Sequence, residues 1–275
     1  VFTTNALEAA PVQLCRERLG PAGRAVVLNS GCANACTGEV GAADAWAMGE
    51  HVSRALGVDG NAVFVCSTGT IGKRLPMDRV CEGIDRAAAS LGDDGAAAAR
   101  AVMTTDTVPK SCACTVLADG VEITVGGMAK GAGMIDPRLA TMLSVVTTDA
   151  RVGQEALQRA LCDAVNRSFN RICVDGDQST NDTVLVLANG AAGGAELTPG
   201  SPGWAAFRDA LDAVTLNLAQ RIVEDGEGAT RFVTVTVSGA ADAAEALAAA
   251  RAVSRSVLVK TAMYGGDPNW GRVAC

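Results

Sequence analysis

Residues 126–150 read GGMAKGAGMIDPRLATMLSVVTTDA, and they pose the question on which the fold turns. Four glycines and a single lysine, Lys130, stand just ahead of Thr141, which opens the apolar run Thr141, Met142, Leu143, Ser144, Val145, Val146. Glycine lets a backbone bend sharply and approach other atoms closely, so such a segment punctuates a loop. A bent segment feeding a buried strand is therefore expected, and the elements around it follow from their periodicity.

Upstream, RAVVLNS (24–30) reads as a buried strand ending in the polar turn NSGCANACTG, with an amphipathic helix over 42–58. NAVFVCS (61–67) repeats the pattern, followed by the turn TGTIGKRLP and helices over 77–91 and 95–103. SCACTVLADGVEITVGG predicts a hairpin turning at Asp119 and Gly120, the dipeptide that favours a two-residue loop. Downstream come a helix over 154–169, a strand at TVLVLANG, a long helix over 204–224, a strand at RFVTVTVSG (231–239) and a helix over 242–255. Alternating strands and helices predict an α/β layered fold.

Composition narrows the function classes. The chain has 275 residues, 49% of them hydrophobic but only 3% aromatic, so the core is aliphatic and base stacking has few platforms. A net charge of -7 argues against a phosphate-binding surface, and nucleic acid is not an expected partner. There is neither an apolar run of membrane-spanning length nor a basic-then-apolar leader, so a cytoplasmic protein is expected, and the initial Val1 is expected not to be the natural start. The ten cysteines, Cys66 and Cys162 among them, sit in helix-like or strand-like runs and suit small buried hydrophobes. Neither Cys32 with Cys36 nor Cys112 with Cys114 makes a Cys-x-x-Cys pair, and no metal is expected.

Chemistry is then sought by elimination. The single histidine, His51, lies inside a helix and is expected to be structural rather than the base of a Ser-His-Asp site. Lys130 is followed by Gly131 and Ala132, which breaks a phosphate-binding P-loop, and GAGMID lacks the third glycine of a dinucleotide fingerprint. VDGDQSTND lacks the glutamate of a calcium loop and reads as a structural turn network. A nucleophile that needs no histidine remains: a threonine at a chain N-terminus has its own α-amine as base, with a pKa near neutrality. Thr141 would acquire that amine by cleavage of the bond before it, the alternative being an ordinary β-branched residue that starts a strand.

KGAGMIDPRLATMLSVVTTDA resembles the self-cleavage segment of the glutamate N-acetyltransferase and ornithine acetyltransferase family. RAVVLNSGCANACTG, STGTIGKRLPMD, MTTDTVPK, SFNRICVDGDQSTNDTVLVLANG, DGEGATRF and VKTAMYGGDPNWGR are similar to that family's motifs in order and spacing, across nearly the whole chain. The resemblance implies a layered α-β-β-α-like fold, incomplete at both ends, divided into an N-terminal region 1–140 and a C-terminal region 141–275 that form one catalytic unit. It implies scission between Ala140 and Thr141, with Thr141 the nucleophile and Thr68 and Gly69 the oxyanion hole. Lys130 and Glu227 match positions that bind the amino-acid substrate, as does Thr104, with Thr105 as its alternative. The implied reaction moves an acetyl group from N2-acetylornithine to glutamate through an acetyl-Thr141 ester, in arginine biosynthesis. It needs no cofactor, although acetyl-CoA loads the threonine in some relatives, and the implied assembly has two alpha and two beta chains. The competing expectations are a noncatalytic amino-acid-binding scaffold and a self-processed amidase or aminopeptidase that passes the acyl group to water.

Overall fold

The computed structural model describes residues 1–20, 23–136 and 142–275. Two strand-helix units open the chain. Strand β1 (Ala25–Cys32) crosses through helix α2 (Gly38–Leu56) to strand β2 (Val63–Thr70), and the two strands pair in parallel with Ala25 opposite Val63. Helix α1 (Ala10–Glu17), with Pro11 in its first turn, precedes them, and α3 (Met77–Ala89) and α4 (Gly95–Ala101) follow. A second, four-stranded sheet then forms from β3 (Lys110–Ala118), β4 (Val121–Lys130), β5 (Leu143–Thr148) and β6 (Thr183–Ala188), in that order. β3 and β4 make the expected hairpin: Ala118 pairs with Val121, and Asp119 and Gly120 have φ of 52° and 77°, as a primed two-residue turn requires. β4 and β5 are antiparallel, whereas β5 and β6 are parallel.

The period of two along each strand sorts side chains into layers. Val63 and Val65 of β2 pack with Ala45, Met48 and Val52 of α2, while their neighbours Phe64 and Cys66 turn the other way to meet Leu143 and Leu185 of the second sheet. Val146 and Val184 face away from that contact, into a core shared with helices α5 (Gln154–Arg167) and α6 (Trp204–Glu224). Helices, two stacked sheets and helices thus give the α-β-β-α order. Leu161, Val165, Phe207, Leu211, Leu218 and Ile222 are all essentially buried in the outer core, and at about 25 cal/mol per Å² of apolar surface such residues dominate its stability.

The C-terminal region departs from expectation. RFVTVTVSG forms no strand, and Phe232 and Val233 are 46% and 43% exposed. Its alternation suits a pleated, half-buried surface, but strand formation depends on a neighbouring ladder, and none of the described strands pairs with it. Helices α7 (Ala243–Arg255), α8 (Val257–Gly265) and α9 (Gly271–Ala274) complete the chain. The cysteine expectation holds for Cys15, Cys32 and Cys66, which are buried, and not for Cys36 and Cys275, which are exposed; Cys162 is half-buried.

Candidate active site

The C-terminal ends of β2 and β4 and the start of β5 meet where the two sheets stack, and Thr68, Gly69 and Lys130 lie there. Thr68 and Gly69 lie near the end of β2, opposite Ser30 and Gly31 of β1. Gly69 has φ of +129°, and a Cβ there would stand 2.3 Å from the carbonyl carbon of Gly31, so this close approach of two backbones admits only glycine. Lys130 ends β4 and is 3% exposed. Its Nζ donates to Thr68 Oγ1 at 3.1 Å. An ammonium has no acceptor, so Thr68 Oγ1 must accept, and its own hydrogen is left to point elsewhere as a donor. Burial pushes the Lys130 ammonium below the usual lysine range, while Asp106, Asp182 and Glu227 pull it back.

The glycines beside Lys130 now have reasons. The chain turns at Gly131 with φ of +155° and at Met134 with φ of 58°. The resulting bend lets Glu227 N donate to Ala132 O at 2.8 Å and brings its carboxylate against Gly133, where a Cβ would lie 2.5 Å from Oε1. Glu227 is exposed at the wall of a cavity of about 350 Å³, shared with Cys173, Thr230, Lys260 and Tyr264. Thr104 is exposed and is held through its backbone: Thr104 N donates to Asp106 Oδ2 at 3.1 Å. Asp106 Oδ1 also accepts from Gly131 N at 2.7 Å, which ties the threonine loop to the lysine strand. Ala140 and Thr141 lie outside the described residues. His51 pairs with Asp85 of α3 at 2.7 Å and takes no part in this cluster.

Four acidic groups not singled out as site residues in the sequence organise the site: Asp175 and Asp182 of the expected VDGDQSTND turn network, and Asp106 and Asp225. Asp175 takes the N–H groups of Met134 and Ile135 at 2.5 and 2.9 Å, fixing the chain before residues 137–141. Asp182 Oδ1 accepts from Met142 N at 2.6 Å, fixing the chain immediately after them. Asp182 is fully buried, and burial pushes its carboxyl well above the usual range against the opposing pull of the Met142 N–H and Lys130. Its neighbour Asn181 donates to Ser67 O at 2.9 Å, joining this turn to the Thr68 strand end. Beneath them Lys110, wholly buried, bridges Asp106 and Asp225 at 2.7 and 2.6 Å. The available signal was the Ser-Thr-Asn-Asp run directly ahead of an apolar strand, too polar for its place unless its side chains were bonded.

A family model described as the ArgJ family matches residues 1–275, and the chain belongs to that family. The arginine biosynthesis bifunctional protein ArgJ of Symbiobacterium thermophilum is 55% identical over 275 residues, covering 99% of this chain and 68% of that protein. The mitochondrial ArgJ protein of Neosartorya fischeri is 49% identical over 286 residues, all of this chain and 63% of the relative. The crystal structure of the ArgJ protein of Bacillus halodurans is 38% identical, with a TM-score of 0.46 over 50% of this chain and 73% of that one. The chain thus spans about two thirds of the length of the curated relatives it matches.

Proposed function

We propose that this chain is an acetyltransferase of arginine biosynthesis, which cleaves itself between Ala140 and Thr141 and then moves an acetyl group from N2-acetylornithine to glutamate through an ester on Thr141. The observation that carries this reading is the buried contact of Lys130 with Thr68 Oγ1, beside Gly69, with Lys130 paired to Leu143 across the sheet. It presents a cation-polarised hydroxyl and a constrained backbone N–H on one strand end, the donor pair that a tetrahedral oxyanion needs. Thr141 attacks the acetyl carbonyl, its freed amine takes the proton, and ornithine leaves. Glutamate's amine then attacks the ester, splitting a difficult transfer into two easier steps. Lys130 has two further N–H donors for a substrate carboxylate, and the exposed Glu227 carboxylate suits a substrate ammonium. Thr104 or its neighbour Thr105 contributes a hydroxyl from the same rim, and acetyl-CoA is a candidate second acetyl donor.

The two products of scission stay together, because β4 of region 1–140 pairs with β5 of region 141–275 from Val125–Thr148 to Lys130–Leu143. Two such pairs form the proposed assembly. Intact mass and N-terminal sequencing of the wild type beside Thr141→Ala test the reading. Two fragments, one beginning Thr-Met-Leu-Ser, in the wild type alone support it, as does N-acetylglutamate formed from N2-acetylornithine and glutamate. An uncut wild-type chain refutes it, and acetate released at the same rate with and without glutamate makes water the acceptor.

A further inference from the structure

Thr104, Lys130 and Glu227, which hold the amino-acid substrate in the proposed function, sit on three separate segments: the loop after α4, the end of β4 and the loop after α6. The role inferred here for Lys110 rests on that reading. A cation and a carboxylate recognise a ligand only at a fixed separation, so the three segments have to be held rigidly against one another. Lys110 lies at their junction. It opens β3, pairs in register with Ala129, the residue before Lys130, and its side chain is completely buried. Its Nζ donates to Asp106 Oδ1 at 2.7 Å, Asp225 Oδ2 at 2.6 Å and Val108 O at 3.4 Å, which occupies all three N–H groups of the ammonium. Lys110 thus has no donor left for a ligand.

We propose that Lys110 is a positioning residue for amino-acid binding, acting through Asp106 and Asp225 to set the separation of Thr104, Lys130 and Glu227. Asp106 holds two of the segments: Oδ2 accepts from Thr104 N at 3.1 Å, and Oδ1 accepts from Gly131 N, next to Lys130, at 2.7 Å. Asp225 holds the third. It caps the end of α6 two residues before Glu227, and its carboxylate accepts from Thr107 N at 3.0 Å and from the Thr107 hydroxyl. Glu227 N in turn donates to Ala132 O at 2.8 Å, which closes the ring back onto the lysine strand. Without a cation the two carboxylates would repel each other across this junction. The Lys110 ammonium draws both to one point.

Stability alone does not call for ions at this place. A buried ion trio gains little over an apolar cluster of equal volume, because desolvating the charges offsets their attraction, even though removing one member is costly. What the trio supplies and an apolar cluster does not is direction, since each hydrogen bond fixes a length and an axis. A site assembled from segments held in place beforehand loses less freedom when its ligand arrives, so it binds more tightly.

The test titrates L-ornithine, the leaving group of the proposed reaction, into the purified wild type, Lys110→Met and Asp225→Asn by calorimetry, with folding checked by circular dichroism at the same temperature. Ornithine has no acetyl group to transfer, so the titration reads binding alone. Misplacing one charge-assisted hydrogen bond to the ligand is expected to raise Kd by about tenfold or more in Lys110→Met. Asp225→Asn keeps the volume and an acceptor for Thr107 N but loses the charge facing Lys110, and a rise of about threefold or more is expected. KM for N2-acetylornithine should rise in step. A merely structural Lys110 gives another pattern, fewer binding sites per chain with Kd and KM unchanged. That pattern, or a Kd in Lys110→Met within about twofold of the wild type, overturns the inference. If Lys110→Met does not fold, Asp225→Asn decides by the same limit. A wild type that neither binds ornithine nor forms N-acetylglutamate sinks the proposed function and this role with it, whereas an active wild type beside variants that bind equally well sinks the role alone.

Discussion

Lys110→Met tests whether the buried ion trio supports the site. Lys110 and the Asp106 carboxyl are completely buried, the Asp225 side chain is 6% exposed, and the two contacts are 2.7 and 2.6 Å. Replacing the cation with an apolar chain of similar length keeps the volume and leaves two carboxylates without their shared partner. Breaking a buried pair from one side costs about 3–5 kcal/mol, because the orphaned charge stays desolvated. At roughly 2–4 °C per kcal/mol for a chain of this size, the melting temperature should fall by roughly 6–20 °C.

The pH dependence separates lost charge pairing from lost packing. Burial alone raises the Asp106 and Asp225 carboxyls, but the Lys110 ammonium, with backbone N–H groups of Gly131 and Thr104 on one and Thr107 on the other, holds both below the usual range. Groups with depressed folded values contribute stability that is full above the unfolded carboxylate value, about 3.9, and is lost as pH falls through the folded value. In the variant the burial effect prevails, the folded values rise, and the sign reverses: protonation now favours the folded state. The gap between wild type and variant should therefore be widest near neutral pH and shrink below about pH 5. Urea unfolding of both proteins across that range measures it. A loss below about 1 kcal/mol, or a gap that does not change with pH, would refute the charge-pairing account.

Gly69→Ala places a Cβ 2.3 Å from the Gly31 carbonyl carbon at φ of +129°, so the strand end must move and the oxyanion donors with it. Scission and acetyl transfer should both fall by about 100-fold or more, measured by mass and by product formation. Asp175→Ala frees the Met134 and Ile135 N–H groups at a cost of about 1–3 kcal/mol, and scission should slow by about tenfold while Lys130→Thr68 geometry is retained in a crystal structure of the variant. Phe207→Ala, in the fully buried face of α6, should destabilise by about 3–5 kcal/mol in denaturant, with scission at low temperature unchanged.

What could be read in the sequence was local or periodic. The helix over 204–224 and the Asp119–Gly120 turn need only their own residues, since an apolar stripe and two positive-φ positions specify them. The stacking of two sheets follows from which strand residues are apolar on both faces, as Phe64 and Val65 are. RFVTVTVSG was misread because alternation predicts a surface fit for a sheet without supplying the neighbouring strand. VDGDQSTND is legible as a turn network, but not what it holds, because the partners of Asp175 and Asp182, Met134 and Met142, are 41 and 40 residues away and no spacing rule reaches that far. The Thr68–Lys130 contact spans 62 residues and joins one sheet to the other, so the sequence shows two candidate residues but not that one polarises the other.

The bent glycine segment, the polar turn and the sheet are three answers to one mechanical problem. The proposed self-cleavage beside a strand requires a backbone bent before the cut and held after it. Gly131 and Met134 make the bend, and Asp175 holds it from outside the segment. Asp182 holds the other flank, and neither carboxylate belongs to residues 126–150, so both grips survive scission of the bond between them. The antiparallel pairing of β4 with β5 likewise depends on hydrogen bonds across the cut rather than through it. The described contacts on both flanks of residues 137–141 therefore do not depend on the bond between Ala140 and Thr141 that the proposed function has the chain cut.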